Sequence, residues 1–168
     1  VSPNDKEILL VKKPQPKILI FTSKTGGGHI SLAEALRDQL ADDYAVEMLD
    51  PQPGIIHLHY RMVSRHALWM CAHEFRLTDG PRRSRMAHLT YTALIQRNVA
   101  RALRQSQPDL VMTTYPFLTC EVMPVMQRKY PNTPFVMLFA DPNGVHQSWL
   151  TERQAHAVLA PTRETFAQ

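Results

Sequence analysis

Cysteine is scarce: Cys71 and Cys120 are the only two in 168 residues. A pair this far apart supplies no disulfide framework, and no His or Cys spacing around either one resembles a structural metal site. Such usage fits a reducing, cytoplasmic compartment. Long apolar runs are also lacking. Ile8 to Val11 is the one apolar stretch in the Lys- and Pro-rich leader, far below the roughly 20 residues a membrane span needs and too short for a signal peptide. Any membrane contact is therefore expected to be peripheral. No low-complexity tract and no internal repeat occurs, so the chain is expected to fold rather than stay disordered. At 44% hydrophobic and 20% charged, it has the material for one core and is short for two. The net charge of +4 is modest and gives no reason to expect a nucleic-acid partner. Arginine is nevertheless concentrated between positions 76 and 104, a local basic surface suited to phosphate-bearing partners such as lipid headgroups or nucleotides.

Residues 1–16 read as a leader and 17–168 as one domain. Lys17 to Thr22 is a continuous apolar run of the kind found in strands buried on both faces, which marks a parallel sheet. The loop Ser23-Lys24-Thr25-Gly26-Gly27-Gly28 leads into Leu32, Ala33, Leu36 and Leu40 at helical spacing. Tyr44 to Leu49 is the next strand, closed by Asp50-Pro51-Gln52-Pro53-Gly54. Residues 55–76 and 86–106 are helix-like on either side of a polar break at 77–85. Asp109 to Thr114 and Phe135 to Ala140 read as further buried strands, with a helix-like piece from Cys120 to Lys129 between them that Pro124 could kink. His156 to Ala160 is a last short strand, and Pro161-Thr162-Arg163-Glu164 starts a helix that ends with the sequence after one turn, as in a longer parent protein. The fold class expected is α/β, a Rossmann-like parallel sheet flanked by helices.

Three places could carry chemistry. In the glycine-rich loop, backbone N–H groups can approach a bound group closely while the following helix N-terminus favours negative charge. A Walker A loop is excluded because no Gly-Lys-Ser/Thr follows. Gly26, Gly28 and Ser31, with Asp50 downstream, partly match a dinucleotide pattern, although Ser31 replaces the last glycine; a plain chain reversal is the other reading. His29 is expected in the first turn of the helix, at the carboxyl end of the sheet where ligands of open α/β folds gather. The helix dipole there disfavours imidazolium, which leaves a ring able to accept a proton from an attacking hydroxyl; a capping or packing role is the alternative. Asp141, His146 and Trp149 follow another strand end and could orient a base, hold a proton and offer an apolar wall, or simply anchor the loop.

His59, His66 and His73 share a helix face, but successive members lie about 10.5 Å apart along the axis, too far to ligate one metal. They are expected to form a partly exposed stripe, with Met62, Leu68 and Trp69 on the buried side. Met112, Met123, Met126 and Met137 read as core filler. Arg76, Arg82, Arg83 and Arg85, in and beside the polar break, are expected to touch an anionic membrane.

Taken together, Thr25-Gly26-Gly27-Gly28-His29 with Ala33-Glu34-Ala35-Leu36, then Gln107-Pro108-Asp109-Leu110-Val111 with Tyr115-Pro116, then Asp141, His146 and Trp149 at their spacing, resemble the monogalactosyldiacylglycerol synthase and processive diacylglycerol glucosyltransferase family. The resemblance runs over nearly the whole chain from Lys17. It implies a GT-B glycosyltransferase with two Rossmann-like domains across a cleft. This chain would be the N-terminal, acceptor-side domain, and a C-terminal domain would hold most of the UDP-sugar. It implies transfer of a hexose from a UDP-sugar co-substrate, with no other cofactor, to a diacylglycerol-type lipid on the inner face of a membrane. By the same resemblance His29 matches the base for the acceptor hydroxyl and Gly26, Gly27 and Gly28 line the diphosphate side, while Asp141, with His146 and Trp149, shapes the acceptor side. Ala140 and Pro142 depart from the family's pattern around Asp141, where a Thr commonly precedes the acidic residue. A nicotinamide-dependent oxidoreductase domain using Gly26, Gly28 and Asp50 and a non-catalytic lipid- or protein-binding domain are the competing classes.

Overall fold

The computed structural model describes residues 14–25, 27–67, 69, 70, 73, 76, 81–140 and 155–166, with the backbone alone at 81–91, 93 and 166. Five strands alternate with helices: β1 (Lys17–Phe21), α1 (Gly27–Leu40), β2 (Ala45–Leu49), α2 (Gly54–His66), α3 (Pro81–Ser106), β3 (Leu110–Thr113), a 3-10 turn (Pro116–Leu118), α4 (Thr119–Lys129), β4 (Phe135–Leu138), β5 (Ala157–Leu159) and α5 (Arg163–Phe166). The strands form one sheet in the order β2-β1-β3-β4-β5, and every pairing is parallel. This is the Rossmann-like architecture expected from the buried apolar runs.

β1 is buried because it lies inside the sheet and its side chains alternate between two cores. Leu19 and Phe21 enter a core with Ile95, Val99 and Leu103 of α3 and Val122, Met123 and Met126 of α4. Ile18 and Ile20 point the other way, against Ala33, Leu36 and Leu40 of α1 and Met112 of β3. Each such side chain contributes about 1.5–3 kcal/mol on leaving water, and all four methionines expected in the core are buried.

The stretch Gln107-Pro108-Asp109 has a purely architectural explanation. Gln107 takes a left-handed backbone with φ 47° and its N–H donates to Leu103 O at 2.9 Å, which closes α3 as a helix C-terminal cap does. Pro108 prevents continuation. Asp109 then accepts from Lys17 N–H at 2.7 Å while its own N–H donates to Lys17 O at 2.8 Å, so it sets β3 beside β1.

Three expectations are corrected. The helix expected over 55–76 is interrupted, because Ala67 leaves helical space at φ −147° and ψ 57°; helical backbone resumes at the described residues 69, 70, 73 and 76. The polar break at 77–85 is shorter than expected: α3 already begins at Pro81, since proline at the first helical position loses no hydrogen bond and has its φ preset. Arg82, Arg83 and Arg85 consequently sit in the opening turns of a helix. Met62 and Trp69 face outward, 58% and 73% exposed, and Val63 is the residue of α2 that enters the core; Leu68 lies outside the described residues. His59, His66 and His73 are exposed, as expected of a surface stripe.

Candidate functional site

The strand order reverses between β1 and β3, so chain segments leave the adjacent carboxyl ends of these two strands toward opposite sides of the sheet. That divergence opens the crevice in which open α/β sheets bind ligands. Two segments of the chain meet there. Thr22 and the glycine loop follow β1, and Thr114-Tyr115-Pro116 follows β3.

His29 sits in the first turn of α1, as its position after the glycines requires. Its Nδ1 lies 2.8 Å from Thr114 O. A carbonyl oxygen only accepts, so Nδ1 carries the hydrogen, and in the neutral ring Nε2 is then the nitrogen with the lone pair. The His29 backbone is fixed as well. Thr22 Oγ1 donates to His29 O at 3.1 Å, and Thr114 Oγ1 lies 2.9 Å from the same carbonyl and 3.0 Å from Thr22 Oγ1. Both threonine side chains are buried, where an unmatched hydroxyl would cost more than a hydrogen bond gains. The Tyr115 ring meets the imidazole edge-on, 4.8 Å between centroids at 61°, which restricts its tilt. Thr113 completes the turn, its Oγ1 accepting from Tyr115 N–H at 3.1 Å.

The loop before the glycines is tied to the end of β2. Thr22 N–H donates to Leu49 O at 3.0 Å, Lys24 N–H donates to Asp50 Oδ2 at 2.7 Å, and Ser23 Oγ donates to Gln52 Oε1 at 2.7 Å. Asp50 Oδ1 also accepts from Gln52 N–H at 3.0 Å, and Oδ2 lies 3.2 Å from His57 Nε2. With these three partners and a side chain only 6% exposed, Asp50 is committed within the protein. That is a poor state for a residue meant to receive a ribose, and it counts against the nicotinamide alternative.

Of the glycines, Gly26 lies outside the described residues. Gly27 and Gly28 are exposed helix residues, and a Cβ at either would meet none of the described atoms within 4 Å. Packing among the described residues therefore does not require glycine there. Asp141, His146 and Trp149 lie outside the described residues. Among the described residues no group of three His, Cys, Asp or Glu side chains is placed to hold a metal ion, and no helix is long and apolar enough to cross a membrane.

Sequence reasoning singled out His29, the glycines and Asp50, and missed the groups that hold them: Thr22, Thr114, Tyr115 and His57. Of these, Tyr115 carried a signal, since Tyr115-Pro116 stands in one of the three motifs without an obvious partner.

Fold and site together define a Rossmann-like domain with a histidine held at the switch point of its sheet. The family model described as "Monogalactosyldiacylglycerol (MGDG) synthase" matches residues 29–167, and the chain belongs to that family. Its relatives include a "Probable monogalactosyldiacylglycerol synthase, chloroplastic" of Nicotiana tabacum, 28% identical over 82% of this chain and 28% of the relative. A "Probable monogalactosyldiacylglycerol synthase 2, chloroplastic" of Oryza sativa subsp. indica is 32% identical over 79% of the chain and 31% of its own length. "Monogalactosyldiacylglycerol synthase 3, chloroplastic" of Arabidopsis thaliana is 27% identical over the same shares. The chain thus spans less than a third of the length of these relatives.

Proposed function

We propose that this chain is the N-terminal, acceptor-side domain of a GT-B glycosyltransferase that moves a hexose from a UDP-sugar to diacylglycerol or a related lipid, with no further cofactor. The observation that carries the reading is the 2.8 Å contact of His29 Nδ1 with Thr114 O, which in a neutral ring puts the lone pair on Nε2, the nitrogen that would take the proton. In the transfer, the acceptor hydroxyl oxygen bonds to the anomeric carbon as the bond from that carbon to the diphosphate breaks. Nε2 takes the hydroxyl proton and UDP departs with the electron pair. Gly27 and Gly28, with Gly26, offer backbone N–H groups at the positive end of α1, suited to the diphosphate charge. Most donor contacts are assigned to a C-terminal domain. Asp141, His146 and Trp149 keep their acceptor-side roles by family resemblance, Asp141 to orient the reacting groups.

In the full-length enzyme His29→Ala is expected to lower kcat by about a hundredfold or more, the scale of a lost general base, with the melting temperature nearly unchanged. Turnover within about twofold of wild type removes His29 from the mechanism.

The same reading includes peripheral contact with an anionic membrane, on the inner face of the bilayer. Support comes from α2, whose Ile55, Leu58 and Met62 form an outward stripe 62%, 45% and 58% exposed, flanked by exposed Arg61 and Arg65. Arg76 is exposed too, and Arg82, Arg83 and Arg85 stand at the start of α3, where the helix dipole opposes cations. Four arginines at an anionic surface contribute about 4 kcal/mol at about 1 kcal/mol each. Reversing the charge of Arg76, Arg82, Arg83 and Arg85 is expected to abolish sedimentation with phosphatidylglycerol vesicles at low salt. Unchanged binding would mean a merely solvated cluster.

A further inference from the structure

Asp50 follows β2, and neither catalysis nor the membrane reading uses it, yet its carboxylate is nearly buried. Its oxygens gather groups from three separate segments: Lys24 N–H in the glycine loop, Gln52 N–H in its own turn, and His57 Nε2 from the first turn of α2. Such charge-assisted bonds are the strong ones when solvent is excluded. The His57 side chain is only 18% exposed, and among the described residues its Nδ1 is buried without a hydrogen-bond partner. Among the described residues its polar contact is thus with Asp50. Whether the ring is neutral or protonated, the nitrogen facing a carboxylate donates, so the contact does not depend on a change of charge.

We infer that Asp50 and His57 are positioning residues, a brace that ties α2 to the glycine loop and thereby holds His29 and the N-terminus of α1 at the crevice. Thr22 and Thr114 grip the loop at its His29 end. Asp50 grips it at the Lys24 end. Between these anchors lie the glycines, which resist backbone motion least of all residues, so an anchor on each side is what keeps their N–H groups aimed.

This inference rests on the transferase reading for its kinetic readout and on none for its structural one. In the full-length protein, His57→Ala leaves Asp50 its two backbone donors, so the fold is expected to persist. Amide hydrogen exchange across residues 22–30 is expected to rise about tenfold, the effect of one lost charge-assisted bond. With UDP-hexose and diacylglycerol, kcat is expected to fall about tenfold while KM for diacylglycerol moves less than about threefold. His57→Gln, whose amide nitrogen replaces Nε2 as donor, is expected to restore both. Asp50→Asn, which turns a donor toward Gln52 N–H, is expected to accelerate exchange as His57→Ala does. Unchanged exchange in His57→Ala overturns the brace. So does wild-type kcat in that variant, or a His57→Gln no better than His57→Ala. Absence of turnover in the wild-type enzyme overturns the transferase reading instead, and exchange then still decides the brace.

Discussion

Gly28→Ala separates a glycine kept for packing from one kept for a ligand, because the two readings differ in sign. The added methyl would meet no described atom within 4 Å, and the residue lacks the left-handed φ that would strain alanine. It lies in the first turn of α1 and is exposed. Replacing a glycine in such a conformation stabilises a protein by about 0.4–1 kcal/mol, chiefly by restricting the unfolded chain. For a domain of this size that is a rise of roughly 1–4 °C in melting temperature. On the proposed transferase reading, the same methyl would stand where the diphosphate approaches the backbone. Losing one N–H hydrogen bond to a charged group costs about 1.5–3 kcal/mol, so kcat/KM is expected to fall by about ten- to a hundredfold. Calorimetry and steady-state turnover of the full-length enzyme read both quantities. A variant both more stable and fully active would refute the ligand role, and a destabilised one would show a packing role that the geometry does not reveal.

Thr114→Val keeps the shape and the backbone carbonyl that holds His29 Nδ1 but removes the hydroxyl between Thr22 and His29; about 1–3 kcal/mol of stability and several-fold in kcat are expected to be lost, and Thr114→Ser is expected to recover most of both. An unchanged kcat in Thr114→Val would show that the threonine pair does not position the histidine. Residues 1–168 alone are expected to transfer no sugar from UDP-hexose to diacylglycerol, since a cleft needs both walls to align its reactants; measurable turnover by that fragment would place the donor site within it.

The sheet was legible because runs such as Lys17 to Thr22 and Phe135 to Ala140 can be satisfied only by burial on both faces, and parallel connections leave few arrangements open. His29 was legible because glycines followed by a helix fix where the next side chain emerges. The face of α2 was not. Helical periodicity put Met62 and Trp69 on one side as if a single helix ran through both, but Ala67 breaks it, and periodicity alone does not say which apolar residues turn inward. The polar break was misjudged for a different reason: Pro81 stops a helix if read from its N-terminal side and starts one if read from its C-terminal side. His57 was hidden because its role depends on a carboxylate seven residues earlier, across a turn whose path the sequence does not specify.

The two described motifs behind the family resemblance do different physical work, and the geometry separates them. In Gln107-Pro108-Asp109 the contacts are spent on the chain itself: a helix is capped and stopped, and a strand is set against its neighbour. Thr25-Gly26-Gly27-Gly28-His29 is different. A Cβ at either of its two described glycines would meet no described atom within 4 Å, and the histidine is gripped through its backbone carbonyl and Nδ1. A residue required by the fold should lose stability when changed, and one required by the reaction should lose turnover without it. Tyr115-Pro116 belongs to both classes, because the turn that ends β3 also delivers the carbonyl of Thr114 and the ring of Tyr115 to His29. Residues 85 apart in sequence are thus joined at the reversal of strand order, where open α/β sheets gather their ligands.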